Sequence, residues 1–377
     1  MMFKSKTKIL HAMRQGQIGG GESHVYDLVT NLNKEEFEPI VLSFTDGPII
    51  EKLRQKKITV YVVDTLQPFH FSTFNNVQAI LRSEEIDILH AHGTRALSNT
   101  VFTAKALGIP VIYTVYGWAF HRDQSLPEKM ARELSEKLLM ANVDLTIQVA
   151  SSDMSTGMLT KKNSTIITYG INLDVYSPYR PIKDVRSELG LSTNKTTIGF
   201  IDRFTEQKDP KCFINAIAKI KDSCDDLQFL MMGEGDLKNE CMALANKLEV
   251  NQLISFCDPI DNRPEVFKAI DIYCSTSLSE GLKPELMEAM AMHKAVIATN
   301  TGSATAFMKD NWNGILFAGG DAEHLGGRFL RLAKDVKIRE ALGENAYQTI
   351  HKQFNLRNTV AENEKIYCSF MNRKMTA

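Results

Sequence analysis

Short, continuous apolar runs alternate with longer segments of helical period along almost the whole chain. In the first half the runs are KILHAM (8–13), PIVLSF (39–44), ITVYVV (58–63), IDILHAH (86–92), VIYTVY (111–116), LTIQVA (145–150) and TIITY (165–169). The second half restarts the rhythm with TIGFID (197–202), LQFLMMG (227–233), LISFCD (253–258), DIYCST (271–276), AVIATN (295–300) and GILFA (314–318). Each run has the length and β-branched content of a buried strand. Between them, ESHVYDLVTNL places Val25, Leu28, Val29 and Leu32 at i, i+3, i+4 and i+7, one face of a helix opening at Glu22. Asp209-Pro210 reads as an N-cap followed by proline at the first helical position, and Pro264 and Pro284 mark similar starts.

Strand–helix alternation of this kind predicts α/β architecture, with parallel sheets covered by helices on both faces. YGINLDVYSPYRPIKD (169–184), rich in turn residues and carrying Pro178 and Pro181, reads as the linker between two doubly wound domains facing each other across a cleft. A chain of 377 residues is comfortable for two such cores. Ligands of doubly wound sheets sit beyond the carboxyl ends of the strands, so the loops after strands carry the functional argument.

Charge narrows the partners. Lysine plus arginine (44) nearly equals aspartate plus glutamate (45), so no field of one sign is present to hold nucleic acid. The basic runs KSKTK and RQKK read as solvated faces. The six cysteines include no C-x-x-C pair, which fits thiols in a reducing cytosol better than a disulfide frame or a zinc site. The start MMFKSKTKILHAM lacks the apolar core of a signal peptide, and no window approaches a membrane span.

Four strand-end loops stand out. GQIGGGES (16–23) follows the first strand and opens a helix, reading either as an anion cradle or as a connector. It is not a dinucleotide fingerprint, because G-x-G-x-x-G does not occur. DRFTEQKDP (202–210) sets Arg203 and Lys208 beside a positive helix end, which favours an anion between them and leaves a solvated loop as the alternative. Both cations read as surface groups whose removal leaves folding little affected. GEGD (233–236) has glycines against which a flat group can lie. SEGLKPELMEAMA (279–291) puts Glu280 before a largely apolar helix and Glu288 one turn inside it. A buried carboxylate needs a partner; the alternative is a narrow solvated stripe shared by Glu285 and Glu288.

These segments together resemble the retaining glycosyltransferases of GT-B architecture, family 4. SEGLKPELMEAMA looks like the E-x7-E signature, DRFTEQKDP like the arginine-to-lysine diphosphate motif, and GGGESHVYDLVTNL like the glycine-rich loop of the acceptor-side domain. MMGEGDLK and YGINLDVYSP match the nucleotide loop and the hinge. The resemblance implies two Rossmann-like domains: an acceptor-side domain over 1–176, a nucleotide-sugar domain over 177–356, and a helix over 357–377 packing back on the first. Glu288 would hold the ribose hydroxyls, while Glu280 with Gly281 and Leu282 would meet the transferred sugar. Arg203 and Lys208 would carry the diphosphate, with Gly20, Gly21, Gly233 and Gly235 lining the donor. No cofactor or metal is implied, since side chains neutralise the leaving group. The donor would be a UDP- rather than a GDP-sugar. The acceptor would be a glycan, glycolipid or lipid-linked sugar of the cell envelope, with peripheral membrane association left open.

Three positions depart from the pattern. Tyr116, in TVYGWAFH, stands where the family commonly has histidine, so either His121 takes over that role or catalysis is altered. Gly302-Ser303-Ala304-Thr305-Ala306 lacks the usual acidic residue. Lys283 replaces a small residue near the donor sugar and reads as solvent-facing, with an acidic sugar as the other reading. His11 and His92, at strand ends, are candidates for framework histidines. A nucleotide-sugar-binding protein without transfer activity, or an epimerase or hydrolase on the same fold, are the alternatives to a transferase.

Overall fold

The structure, a computed structural model, describes residues 6–17, 19–116, 126–149, 163–176, 182–260, 262–278 and 283–376. The chain forms two compact units, Met1–Gly170 together with Leu356–Ala377, and Ile171–Asn355. The division falls at Gly170/Ile171 rather than at the 176/177 boundary that the resemblance implies.

Unit 1 runs β1 (Thr7–Met13), α1 (Gly20–Asn31), β2 (Phe37–Ser43), α2 (Pro48–Gln55), β3 (Thr59–Val62) and α3 (Phe74–Ser83). It continues with β4 (Ile88–His92), α4 (Thr94–Ala106), β5 (Val111–Val115), α5 (Leu126–Met140), β6 (Leu145–Gln148) and β7 (Ser164–Ile166). Its seven strands are parallel, in the order β3-β2-β1-β4-β5-β6-β7.

Unit 2 opens with α6 (Ile182–Glu188), β8 (Thr196–Ile201), α7 (Pro210–Ile220), β9 (Leu227–Met232), α8 (Lys238–Lys247) and β10 (Ile254–Cys257). Next come α9 (Arg263–Ala269), β11 (Ile272–Ser275), α10 (Pro284–Ala291), β12 (Ala295–Thr299) and α11 (Gly302–Thr305). β13 (Ile315–Phe317), α12 (Ala322–Lys334) and α13 (Val336–Gln353) close it, and α14 (Leu356–Thr376) returns to unit 1. The unit 2 sheet is also parallel, ordered β10-β9-β8-β11-β12-β13.

Every run read as a strand is a strand, because two-sided burial demands continuous apolar sequence; all six residues of LQFLMM in β9 are buried. The apolar face of α1 packs as its period requires, with Val25, Leu28 and Val29 fully buried. That helix starts at Gly20, ahead of Glu22. Asp209 caps α7 by accepting from the Cys212 N–H at 3.2 Å, and Pro210 follows at the first helical position. In both sheets the strand order reverses beside the first strand, between β1 and β4 and between β8 and β11. Those two crevices are where a doubly wound sheet exposes its loops to a ligand.

Helix α14 closes one face of unit 1. Tyr367 is fully buried among Ile9, Leu28, Phe37 and Ile88, and its hydroxyl lies 2.7 Å from His90 Nδ1. Among the described residues no helix is long and apolar enough to cross a membrane. Tyr367→Phe should cost about 1–3 kcal/mol, because it strands a buried imidazole nitrogen. An unchanged urea midpoint would show that this bond contributes nothing to holding α14 in place.

Candidate active site

In unit 2 the loops after β8 and β11 flank the crevice where the strand order reverses. Asp202, the residue after β8, has its carboxylate oxygen Oδ2 2.9 Å from Lys208 Nζ and 3.9 Å from Lys283 Nζ. Both lysines are buried, at 7% and 2% exposure. Lys283 also donates to the hydroxyls of Ser275 and Ser277. The loops are stitched together by the Thr276 hydroxyl, which donates at 2.8 Å to the carbonyls of Lys208 and Asp209. The Leu278 N–H donates to the Gln207 carbonyl at 2.9 Å. The two buried ammonium groups share the Asp202 carboxylate and also act on Glu285 in the first turn of α10.

Lys208 and Lys283 both overturn their sequence readings. Lys208 is not a surface group, and Lys283 does not face solvent. Serine hydroxyls and one carboxylate supply the hydrogen bonds that a buried ammonium requires. Arg203 does lie at the surface, with its backbone N–H on Asp202 Oδ1 at 2.8 Å.

Glu288 is buried and has a partner that the sequence did not point to. Arg263, at the start of α9, sets Nη2 2.8 Å from Glu288 Oε2 and 3.1 Å from Glu285 Oε1. The stripe of α10 that carries both glutamates is therefore an ion-paired seam and not a solvated one. Burial works against the charges, but Glu288 and Glu285 outweigh it at Arg263 and raise the guanidinium pKa. At Glu285 burial pushes the carboxyl up, and Arg263, Lys208 and Lys283 together hold it below its usual range. Nothing in NRPEVF, an ordinary helix start, announced Arg263.

Gly233 and Gly235 hold positive φ angles of 154° and 143°, and their missing side chains are used by the chain itself. A Cβ at Gly233 would lie 1.9 Å from the Asp202 carbonyl, and one at Gly235 would lie 2.4 Å from the Phe204 carbonyl. These glycines let two strand-end loops touch. Glu280, Gly281, Leu282 and His121 lie outside the described residues.

Tyr116, Gly20 and Gly21 belong to unit 1, at its own crevice. They line a cavity of about 760 Å³ together with Arg14, His92, Arg95 and Glu136. The Tyr116 hydroxyl bridges His24 Nδ1 at 2.9 Å and His92 Nδ1 at 3.0 Å. The line continues from His92 Nε2 to His11 Nδ1 at 3.2 Å. His90 bonds Thr114 and Tyr367, each at 2.7 Å. With one hydroxyl proton and two imidazoles on it, the phenol is committed to the protein interior. His11 and His92 are thus parts of a buried polar framework. His11, His90 and His92 bring ring nitrogens within 4.8 Å of one another, a grouping that one strand-end position and an H-x-H pair on a neighbouring strand concealed in the sequence. Both nitrogens of His90 and of His92 are already engaged within the network.

Comparison with known proteins places this geometry. Residues 18–174 match the family described as Glycosyltransferase Family 4, and residues 181–349 match Glycosyl transferases group 1. The chain belongs to this family of glycosyltransferases, and its fold is GT-B. It is 22% identical, over 98% of its length and 99% of the relative's, to the UDP-Gal:alpha-D-GlcNAc-diphosphoundecaprenol alpha-1,3-galactosyltransferase of Escherichia coli. It is 24% identical, over 86% of each chain, to the N-acetyl-alpha-D-glucosaminyl L-malate synthase of Bacillus anthracis. Among solved structures it is similar to HepE of Anabaena in complex with UDP, with a TM-score of 0.85 at 20% identity, covering 96% of this chain and 100% of that one. It is an enzyme of the hexosyltransferase class, with a nucleotide-sugar donor and an acceptor as substrates.

Two outcomes follow from the burial just described. Lys208→Ala should lower stability by about 3 kcal/mol by breaking a buried ion pair, whereas Arg203→Ala should stay within about 0.5 kcal/mol. Equal urea midpoints for the two variants would contradict the placement of Lys208. In unit 1, burial lowers the His11 pKa from 6.5 to about 3, with His24 adding to the effect, and lowers His24 to about 4. The fold keeps these rings neutral while the unfolded chain takes up protons, so their stabilisation is complete above pH 6.5 and lost as pH falls towards 4. His24→Gln should therefore flatten the decline in stability between those pH values, and an identical pH profile would remove His24 from the account.

Proposed function

We propose that the chain transfers a sugar from a UDP-linked donor, with retention of anomeric configuration, to a glycan or lipid-linked acceptor of cell-envelope polysaccharide synthesis. The observation that carries this is the pair of buried ammonium groups, Lys208 and Lys283, held beside Asp202 at the β8/β11 crevice. A diphosphate there would meet cations already fixed in place by Asp202. When the glycosidic bond breaks, negative charge grows on the departing phosphate, and fixed cations already aimed at it stabilise that state without reorganising. Arg203, exposed at the same loop, adds a third cation.

Glu288 is the group offered to the ribose hydroxyls, with Arg263 holding its charge and orientation. The leaving phosphate takes the acceptor's proton, so the scheme needs no side-chain base and no metal ion. The name of the E. coli relative gives UDP-Gal as donor and a diphosphoundecaprenol-linked sugar as acceptor, which supports the choice of UDP and of an envelope glycan. A second reading, a donor-binding protein without transfer, draws on Tyr116, whose hydroxyl is taken up by His24 and His92.

Incubation with UDP-glucose, UDP-galactose, UDP-N-acetylglucosamine and GDP-mannose, followed by proton NMR of the product, tests this. An acceptor-dependent release of UDP and an equatorial anomeric proton in the product, as in the α-linked donors, are expected. Release of nucleotide without acceptor would indicate a hydrolase, and binding with no release would indicate the second reading. Lys208→Ala should lower turnover by about 10²–10³, and EDTA should leave turnover unchanged. Restoration of activity by manganese after EDTA treatment would overturn the metal-free scheme.

A further inference from the structure

Helix α5 of unit 1 turns most of its apolar side chains away from the sheet. Among its described side chains the buried ones are Leu139 and Glu136, the latter accepting a hydrogen bond from the Thr94 hydroxyl. On the opposite side Met130, Leu134 and Leu138 are 69%, 70% and 54% exposed, and Pro127 and Ala131 beside them are exposed as well. Positions 130, 134 and 138 form one i, i+4, i+8 ridge, the surface by which two helices interlock. A helix of 15 residues is marginal in water on its own propensity and gains its stability by burying its apolar side. In α5 that side has no covering among the described residues.

One flank of the ridge carries Glu133 and Lys137. Four positions apart with the glutamate first, they have the spacing that ordinarily pairs within a helix. They do not pair, and neither has an ion-pair or hydrogen-bond partner among the described residues. Ala131 and Ser135 border the ridge on its other side.

Charge decides what fits this face. An anionic lipid surface calls for a cationic excess around the apolar stripe. The helix has none: Glu128, Glu133 and Glu136 match Lys129, Arg132 and Lys137, and the chain as a whole carries a net charge of -1. A second copy of this chain needs no excess. Turned antiparallel about a two-fold axis at Leu134, it sets Leu134 on Leu134 and Met130 against Leu138. The same turn brings Glu133 of each copy beside Lys137 of the other, offset from direct opposition by about 1.5 Å, one residue's rise. A parallel arrangement would set the charged flank against Ala131 and Ser135 and leave both charges unmet.

We propose that the outer face of α5 is a surface for self-association. Two copies of the chain pack antiparallel through the Met130, Leu134 and Leu138 ridge, keyed by two reciprocal ion pairs between Glu133 and Lys137. The interface is independent of the donor reading of unit 2. Arg132 and Ser135 of the same helix line the unit 1 cavity, so the dimer braces one wall of that crevice. The ridge of a single helix is smaller than a standard protein–protein interface, which makes the dimer weak and concentration-dependent.

Sedimentation velocity of the full chain from roughly 1 to 200 µM, the range in which a small interface titrates, is the test. The wild type should pass from monomer to dimer within it. Leu134→Glu, at an exposed position that leaves the fold intact, should weaken the dimer at least about tenfold. Glu133→Lys and Lys137→Glu should each weaken it about fivefold or more, because both reciprocal pairs become repulsive. Combining the two substitutions restores opposite charges across the axis and should return the dimer to near wild-type strength. Circular dichroism melts of all four variants should match the wild type. A wild type that stays monomeric throughout, or a dimer indifferent to Leu134→Glu, overturns the proposal. So does a double variant no stronger than the single ones. Flotation with phosphatidylglycerol vesicles that depends on Leu134, with the chain monomeric in solution, would assign the face to a lipid surface and likewise overturn it.

Discussion

One carboxylate, that of Asp202, organises unit 2. It sits at the end of β8 with Lys208 and Lys283 directed at it from two different loops, and all three groups are buried. Removing three charges from water is unfavourable unless each finds partners, so the pairing dictates how close the loops after β8 and β11 come. Gly233 and Gly235 complete the arrangement from the neighbouring strand, because only glycine permits the backbone of 202–204 to approach so closely. The helix α10 begins from this point, and its glutamates are fixed in turn by Arg263. A site whose cations are already desolvated and locked needs little rearrangement to stabilise a departing diphosphate.

Unit 1 uses the same topology with opposite chemistry. Its sheet reverses order between β1 and β4, as that of unit 2 does between β8 and β11, but the buried groups beneath the crevice are neutral. His11, His24, His92 and Tyr116 form one hydrogen-bonded line, His90 bonds Thr114 and Tyr367 beside it, and burial depresses the basicity of the rings. Charge is confined to the wall above them, on Arg14, Arg95, Glu22 and Glu136.

The sequence made the fold legible because parallel strands buried on both faces leave continuous apolar runs, and all thirteen runs became strands. It also made the strand-end loops legible, since DRFTEQKDP follows β8 and SEGLKPELMEAMA lies between β11 and the end of α10. What it hid were the partners. Arg263 lies in an unremarked helix start, and only the fold brings it to Glu288. Lys283 resembled a solvent-facing lysine because the serines that bury it, Ser275 and Ser277, carry no signal of their own. Glu136 meets Thr94 across 42 positions, and no local period encodes such a contact. Residues 279–282, Glu280 among them, lie outside the described residues.

The central claim is that the buried lysines of unit 2 hold the donor through its diphosphate. Calorimetric titration of uridine and of UDP into the wild-type protein tests it most directly. Each charge-assisted hydrogen bond contributes roughly 1.5–3 kcal/mol, so UDP should bind at least about a hundredfold more tightly than uridine. Equal affinities for the two would mean that Lys208 and Lys283 serve only to close the loops, and the account would be wrong.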